Sequence, residues 1–134
     1  TMSLATSRND DPCAAALFYA SEGLTLYFIS DTSSEHSHNI SLNPRVAATI
    51  NADHSDWKDI RGLRITGRAC MVREEEAVTA RAAFESKYPF LTGLLESGEM
   101  RRGLGGFAFF KIKPETIRLI DNRVYFGHTT EMQV

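Results

Sequence analysis

Apolar and polar residues alternate most clearly between Gly62 and Arg73, where every second side chain is apolar or small. The set on one side comprises Leu63, Ile65, Gly67, Ala69 and Met71. A period of two predicts a strand with one face in the core and the other facing a polar site or water. Residues 45–51 alternate likewise, and residues 24–30 are apolar on both faces, which predicts a buried central strand.

The first twenty residues carry a turn signal between two further segments. Asn9, Asp10, Asp11 and Pro12 form a cluster of turn residues, which favours a hairpin joining strands at 2–8 and 13–20. By propensity alone, the alanine-rich segment 13–20 after a proline favours a short helix. We predict a strand there, because the turn implies pairing.

The C-terminal part is rich in aromatic and β-branched residues. Segments 106–113 and 116–121 are predicted strands separated by Pro114. A tight turn at 121–123 leads into 124–127, which predicts a terminal hairpin.

Three short helices are predicted between the strands. One covers 33–42, a second follows Glu74 and ends at Pro89, and a third begins at Phe90 and stops at Gly98. The cluster of glycines from 98 to 106 predicts a mobile loop. The chain is therefore expected to be mainly β, a mostly antiparallel sheet closing into a barrel, because closure removes exposed strand edges.

Composition bounds the class of protein. A length of 134 residues, 43% apolar and 24% charged, predicts a single globular domain over 1–134. The net charge of −2 offers no bulk attraction to nucleic acid or an anionic membrane. No apolar run approaches the roughly 20 residues needed to span a bilayer. Two cysteines do not form a secreted-type framework, so we expect a cytoplasmic protein.

The segment 31–39 combines hydroxyl and imidazole side chains where a buried strand is predicted to meet a helix. Two interpretations stay open. The N–H groups at a helix start attract phosphate, with serine and threonine as further donors. Alternatively, Thr32 and Glu35 stand at the spacing of a capping box, in which Glu35 covers the same donors.

No metal or nucleophile site is predicted. His36 and His38 point to different faces of a helix, and His54 and His128 lie in segments without a carboxylate or cysteine cluster. Arg64 and Arg68 share a strand face with Thr66, which fits either an anionic ligand or a solvated face. A barrel without evident catalytic side chains suits chemistry supplied by a cofactor.

A family resemblance rests on segments that occur in a fixed order. They are LATS at 4–7, LTLYFIS at 24–30, the Ser/His helix, NPRVA at 43–47 and IRGLRITG at 60–67. Together they resemble the pyridoxamine 5′-phosphate oxidase-like, FMN-binding split-barrel family, over about residues 3–127. The resemblance implies an antiparallel six-stranded split β-barrel of Greek-key type with short flanking helices. It also implies a homodimer with FMN held between the subunits.

The resemblance also assigns residues to the cofactor. Thr6 and Ser7 would lie along the flavin ring, Ser34, His36 and His38 would form the phosphate segment, and Arg64 would contact the ring. Where oxidases of the family have Ser-Arg-Lys, this chain has Ser-Glu-His at 34–36, which removes two positive charges. The residues that bind the substrate phosphate in those oxidases are not found, so pyridoxamine phosphate is not expected as substrate.

Three functions follow as hypotheses. The first is a flavin-dependent oxidoreductase acting on a small molecule. The second is a module that binds haem or another planar ligand without turnover, with His36, His38 or His128 as an axial ligand. The third is a structural dimer whose ligand site has decayed.

Overall fold

The computed structural model describes residues 1–98 and 106–134, which form one eight-stranded, largely antiparallel sheet with short helices against it. The strands are β1 (Met2–Arg8), β2 (Asp11–Leu17), β3 (Ala20–Glu22), β4 (Thr25–Asp31), β5 (Arg45–Asn51), β6 (Arg61–Met71), β7 (Phe107–Asp121) and β8 (Thr129–Gln133). The helices are α1 (Glu35–Leu42), α2 (Glu74–Lys87) and α3 (Phe90–Glu96), with a 3-10 turn at Trp57–Asp59. The mainly β, antiparallel class is confirmed, with eight strands in place of the six expected.

The longest strand, β7, organises the sheet. One edge of β7 pairs with β6 along its length, whereas the other edge pairs first with β4 and then with β8. The remaining order is β2-β1-β5-β6-β7-β4-β3. The sheet therefore divides into two branches at β7.

The predicted break at Pro114 is wrong, because β7 runs through it without interruption. A register shift opposite Gly67 leaves Glu115 as an extra residue on β7, and a proline is tolerated beside such a bulge. The close approach also explains the glycine. A Cβ added at Gly67 would lie 2.2 Å from the backbone oxygen of Lys113.

The terminal hairpin forms, but its second strand is β8 rather than the predicted 124–127. That segment is a turn instead. The side-chain oxygen of Asn122 accepts from the N–H of Gly127 at 2.9 Å, and Gly127 has a φ of +78°. The pattern of apolar residues gives no sign that the Asn122 side chain closes this longer turn.

The N-terminal hairpin is confirmed, and β2 is a strand despite its alanines. Asn9 and Asp10 have φ values of 51° and 62°, and Arg8 pairs directly with Asp11. Positive φ at both central residues is the geometry that suits the twist of a two-residue hairpin. Cross-strand pairing therefore outweighs the local helix propensity.

The core is built from the inward faces of the strands and one face of α2. Phe28 and Phe110 stack with their ring centroids 5.2 Å apart, and Phe84 of α2 is 2% exposed. Most of the predicted inward set of β6 is buried, but Met71 is 51% exposed because the strand ends there. The central part of the predicted glycine loop, 99–105, lies outside the described residues. Among the helices that are described, none has the length and apolarity needed to cross a membrane.

Candidate functional site

Hydroxyl and imidazole groups gather where β4 leads into α1. The Nε2 atom of His36 lies 2.5 Å from Oγ of Ser30 and 3.2 Å from Oγ of Ser34. Ser34 donates to Ser37 at 2.7 Å, and the Ser37 hydroxyl donates to the backbone oxygen of Asp31 at 2.7 Å. The sharp turn from strand to helix brings these short side chains together.

The capping box predicted for Thr32 and Glu35 is wrong. The residue that caps α1 is Ser34, whose Oγ accepts from the N–H of Ser37 at 3.3 Å. Thr32 instead donates its hydroxyl to the backbone oxygen of Gly106 at 3.2 Å. Glu35 becomes the first helical residue, and its side chain is exposed.

The cap leaves backbone donors available at the start of α1. Ser34 covers the N–H of Ser37, and the N–H groups of Glu35 and His36 have no hydrogen-bond partner within residues 1–98 and 106–134. The partial positive charge of a helix N-terminus attracts anions. These two N–H groups are available to donate hydrogen bonds to an anionic oxygen.

His36 contributes a neutral ring to this cluster. Burial lowers the pKa of His36 below its ordinary value of 6.5, and Glu35 opposes this only in part. The ring is therefore mainly uncharged at neutral pH. It can exchange hydrogen bonds with an anion without supplying the positive charge of a lysine.

Two asparagines fasten α1 to β1. Asn39 donates its side-chain N–H to the Thr6 hydroxyl at 3.1 Å, and both residues are buried. One turn later, Asn43 donates to the backbone oxygen of Ser7 at 3.1 Å and to its hydroxyl at 3.3 Å. The end of α1 is thus attached to β1 at Thr6 and Ser7, the two residues predicted for the site on that strand.

A groove of about 300 Å³ opens on the outer side of β1, β5 and β6. Its lining is mostly small, and comprises Ala5, Thr6, Ser7, Pro12, Arg45, Val46, Ala47, Thr66, Gly67 and Glu115. Register pairs continue this flat surface across the strands: Ala5 lies opposite Ala14 on one side and Ala47 on the other. Such a surface accepts a flat aromatic ring or a second sheet.

The remaining predicted residues lie apart from the groove. Arg64 is exposed on β6, opposite Thr49 and Arg118 and two residues from Thr66. His38 is exposed and lines a different groove, of about 370 Å³, together with Met71.

Metal-binding residue types do not converge in the described part of the chain, where no three His, Cys, Asp or Glu side chains are placed to hold an ion. His54 Nε2 and His128 Nδ1 are buried atoms without a hydrogen-bond partner in that part. They lie in separate loops, as the sequence suggested.

Sequence reasoning missed the two asparagines. Asn39 and Asn43 are four residues apart, which places both on the same side of a helix that faces β1. An asparagine on the buried face of a helix needs a polar partner, and this was the signal available in the sequence.

Comparison with known proteins places this arrangement in a family. Residues 1–121 match the family model described as pyridoxamine 5′-phosphate oxidase. The UPF0306 protein of Cronobacter sakazakii is 27% identical over 116 residues, which cover 86% of this chain and 73% of that protein.

Solved structures share the fold at low identity. A heme binding protein from Mycobacterium smegmatis has a TM-score of 0.76 and 20% identity, and the match covers 98% of this chain. This chain spans about half of that protein's length, 52%. A FAD-binding protein from Mesorhizobium loti has a TM-score of 0.66 and 18% identity, covering 88% of this chain and 81% of that protein. The match to the family model extends over most of the sequence, and on that ground the chain belongs to the pyridoxamine 5′-phosphate oxidase family.

Proposed function

We propose that this protein is a flavin-dependent oxidoreductase that binds FMN in a seam between two copies of the chain. Family membership and the FAD-binding relative in Mesorhizobium loti support a flavin. The observation that carries the proposal is the attachment of α1 to β1. The bond between Asn39 and Thr6 fixes α1 against the inner side of β1, and the groove of small side chains lies on the outer side of the same strand.

The start of α1 fits the phosphate of FMN. The N–H groups of Glu35 and His36 supply donors without a full positive charge, and Ser34 caps the helix at that point. Five residues separate Ser34 from Asn39, which is about 7.5 Å along a helix axis. The ribityl chain of FMN joins phosphate and ring over a comparable length, so phosphate at Ser34 leaves the ring near Thr6.

The groove beside β1 fits the ring. Ala5, Ala47 and Thr66 present small side chains to a flat aromatic surface, and Ser7 offers a hydroxyl at its edge. Arg64 lies farther along the same face of β6. In the proposed dimer, a ring that extends along this face beyond Thr66 would lie beside the Arg64 cation.

The flat outer face also supports the dimer. Ala14, Ala5 and Ala47 are neighbours across β2, β1 and β5, so a second copy can approach closely. A ring sandwiched in that seam is shielded from water on both sides.

The chemistry belongs to the cofactor, and the protein tunes it. Bound FMN supplies the capacity to accept a hydride or electrons from a small-molecule substrate. An Arg64 cation beside the ring would favour negative charge on the flavin and so raise its electron affinity. The N–H groups at the start of α1, held in place by the Ser34 cap, would bind the phosphate and so position the ring against β1.

The test compares FMN with riboflavin, which lacks the phosphate. Titration of the purified protein, followed by flavin fluorescence, is expected to show at least tenfold tighter binding of FMN than of riboflavin. Ser34→Ala is expected to reduce that preference to less than threefold. Ser41→Ala is the matched control, since Ser41 lies on the same helix and bonds the backbone oxygen of His38. Equal affinities for the two flavins in the unaltered protein would contradict the proposal.

Haem is the second candidate, favoured by the groove beside His38. His38 is exposed, and its ring has no hydrogen bond to another side chain or backbone group in the described structure. The groove it lines includes the apolar residues Ile40, Met71 and Phe110 beside the hydroxyls of Thr32, Ser37 and Ser41. Haem addition is expected to give a Soret band that His38→Ala abolishes and His54→Ala retains. Absence of binding to either cofactor would leave a non-catalytic dimer.

A further inference from the structure

Three cations lie side by side on the outer face of the sheet, on the strands β5, β6 and β7. Arg45 is the register partner of Arg68, and Arg68 is the register partner of Lys113. All three side chains are exposed. We call Arg45, Arg68 and Lys113 the cation row.

The cation row lacks a counter-ion within the described chain. None of its side chains forms an ion pair or a side-chain hydrogen bond there. By contrast, another pair of cations on β6 and β7 does have a counter-ion. Arg118, which lies opposite Arg64, is bound by the carboxylate of Glu131.

The groove beside the row holds two further cations and two carboxylates. Arg68 and Lys113 line a groove of about 630 Å³ that includes Arg73, Lys111, Glu75 and Glu76. Of the two carboxylates, Glu76 is already bound by Lys111 and by the Tyr27 hydroxyl. Attraction to Lys113 is among the weaker causes that lower the pKa of Glu76. The excess of positive charge in this groove is therefore that of Arg68 and Lys113 themselves. Arg45 lies outside it and lines the groove of β1 together with Glu115.

Like charges directly opposite on neighbouring strands destabilise a sheet, so an external anion would relieve a real repulsion. Arginine forks bind phosphate oxygens in pairs, and lysine adds a point charge. Adjacent strands are about 4.8 Å apart, so the row extends about 10 Å from Arg45 to Lys113. A ligand with several negative charges in a line matches that length better than one with a single centre.

We infer that the cation row is a binding site for a diphosphate group. It is distinct from the flavin-phosphate position proposed at α1, and its Arg45 end borders the groove proposed for the flavin ring. The site holds the diphosphate across Arg68 and Lys113, with Arg45 at the end nearer the groove of β1. This inference goes beyond the proposed function, because it needs neither a flavin nor a redox step.

The experiment uses inorganic diphosphate as the probe, with calorimetry at low ionic strength and no flavin present. Binding is expected, and at least tenfold more tightly than for inorganic monophosphate. The double variant R68Q/K113Q is expected to weaken diphosphate binding at least tenfold. Its melting temperature is expected to match or exceed that of the unaltered protein, because the substitutions remove repulsion.

Two control variants test whether the loss of diphosphate binding is specific to the cation row. R81Q removes an exposed cation that is already paired with Glu85 on α2, and it is expected to leave diphosphate binding within twofold. Ser34→Ala is also expected to leave it unchanged, whereas this variant reduces the preference for FMN. Failure of the flavin proposal is thereby distinguishable. The inference is overturned if diphosphate fails to bind at millimolar concentration, or if the double variant binds it as tightly as the unaltered protein.

Discussion

The side-chain amide of Asn39 donates to the hydroxyl of Thr6 at 3.1 Å, and neither residue is more than 3% exposed. This bond joins α1 to β1 in the interior, and it sets the position of the helix start relative to the outer groove. A loss of this contact would loosen both parts of the candidate site.

Replacement of Asn39 by alanine is therefore expected to destabilise the protein by about 2 kcal/mol, since the buried hydroxyl of Thr6 loses its partner. Urea unfolding measures the effect. Ser41→Ala, on the exposed side of the same helix, is expected to change stability by less than about 0.5 kcal/mol. In a double-mutant cycle with Thr6→Val, the two losses should be less than additive. Strict additivity would show that the bond does not couple α1 to β1.

The glycine at the bulge gives a matched pair of substitutions. Gly67→Ala is expected to destabilise the protein by at least about 1–3 kcal/mol, because the new Cβ would meet the backbone oxygen of Lys113, which cannot move aside cheaply. Gly93→Ala is the comparison, since nothing lies within 4 Å of its Cβ position in α3. That change should stabilise by about 0.5–1 kcal/mol. The melting temperatures of both variants measure these effects. An unchanged melting temperature in Gly67→Ala would contradict the close approach at the bulge.

Asp121 is expected to respond to acid through Arg123. Hydrogen bonds from the Arg123 side chain lower the pKa of Asp121 from 3.8 to about 2. Because the folded pKa is depressed, the stabilisation is present above pH 3.8 and is lost as the pH falls towards about 2. Carboxyl NMR should show the pKa rising towards 3.8 in Arg123→Gln and unchanged in Arg81→Gln. An unshifted Asp121 in the Arg123 variant would refute this cause.

His36 gives a second pH dependence, at higher pH. Burial lowers the pKa of His36 below 6.5, so protonation is disfavoured in the folded state. Its contribution to stability is full above pH 6.5 and is lost as the pH falls through the lower folded pKa. NMR of the ring protons should give a pKa below 6.5, and Glu35→Gln should lower it further, because Glu35 raises it. A ring that titrates at or above 6.5 would contradict the buried position.

The sequence predicts the strands better than it predicts the bulge and the turns between them. Alternation along β6 and the turn at Asn9–Asp10 identify their elements correctly, because burial of one strand face and a two-residue hairpin leave local patterns. Pro114 misleads because a bulge formed with a distant strand absorbs it. The turn of the terminal hairpin depends on one hydrogen bond, from the backbone N–H of Gly127 to the side-chain oxygen of Asn122.

The candidate site shows the same division. The family resemblance assigns Ser34 and Thr6 to the site. In the structure, Ser34 caps the start of α1, and Thr6 is bonded to Asn39 farther along the same helix. Thr32 is assigned to the cap in error, because local spacing alone cannot distinguish it from Ser34. The cation row is invisible in the sequence, because strand pairing brings its residues together from three distant segments.

The central claim is that a flavin phosphate binds at the start of α1 while its ring lies against β1. Backbone NMR of the protein during FMN titration tests it most directly. The account predicts the largest shifts at the amides of Glu35 and His36, with further shifts at Thr6 and Ala47. Riboflavin should move the β1 and β5 signals but leave the two helix amides in place. If FMN binds while the amides of Glu35 and His36 stay unmoved, the claim is wrong.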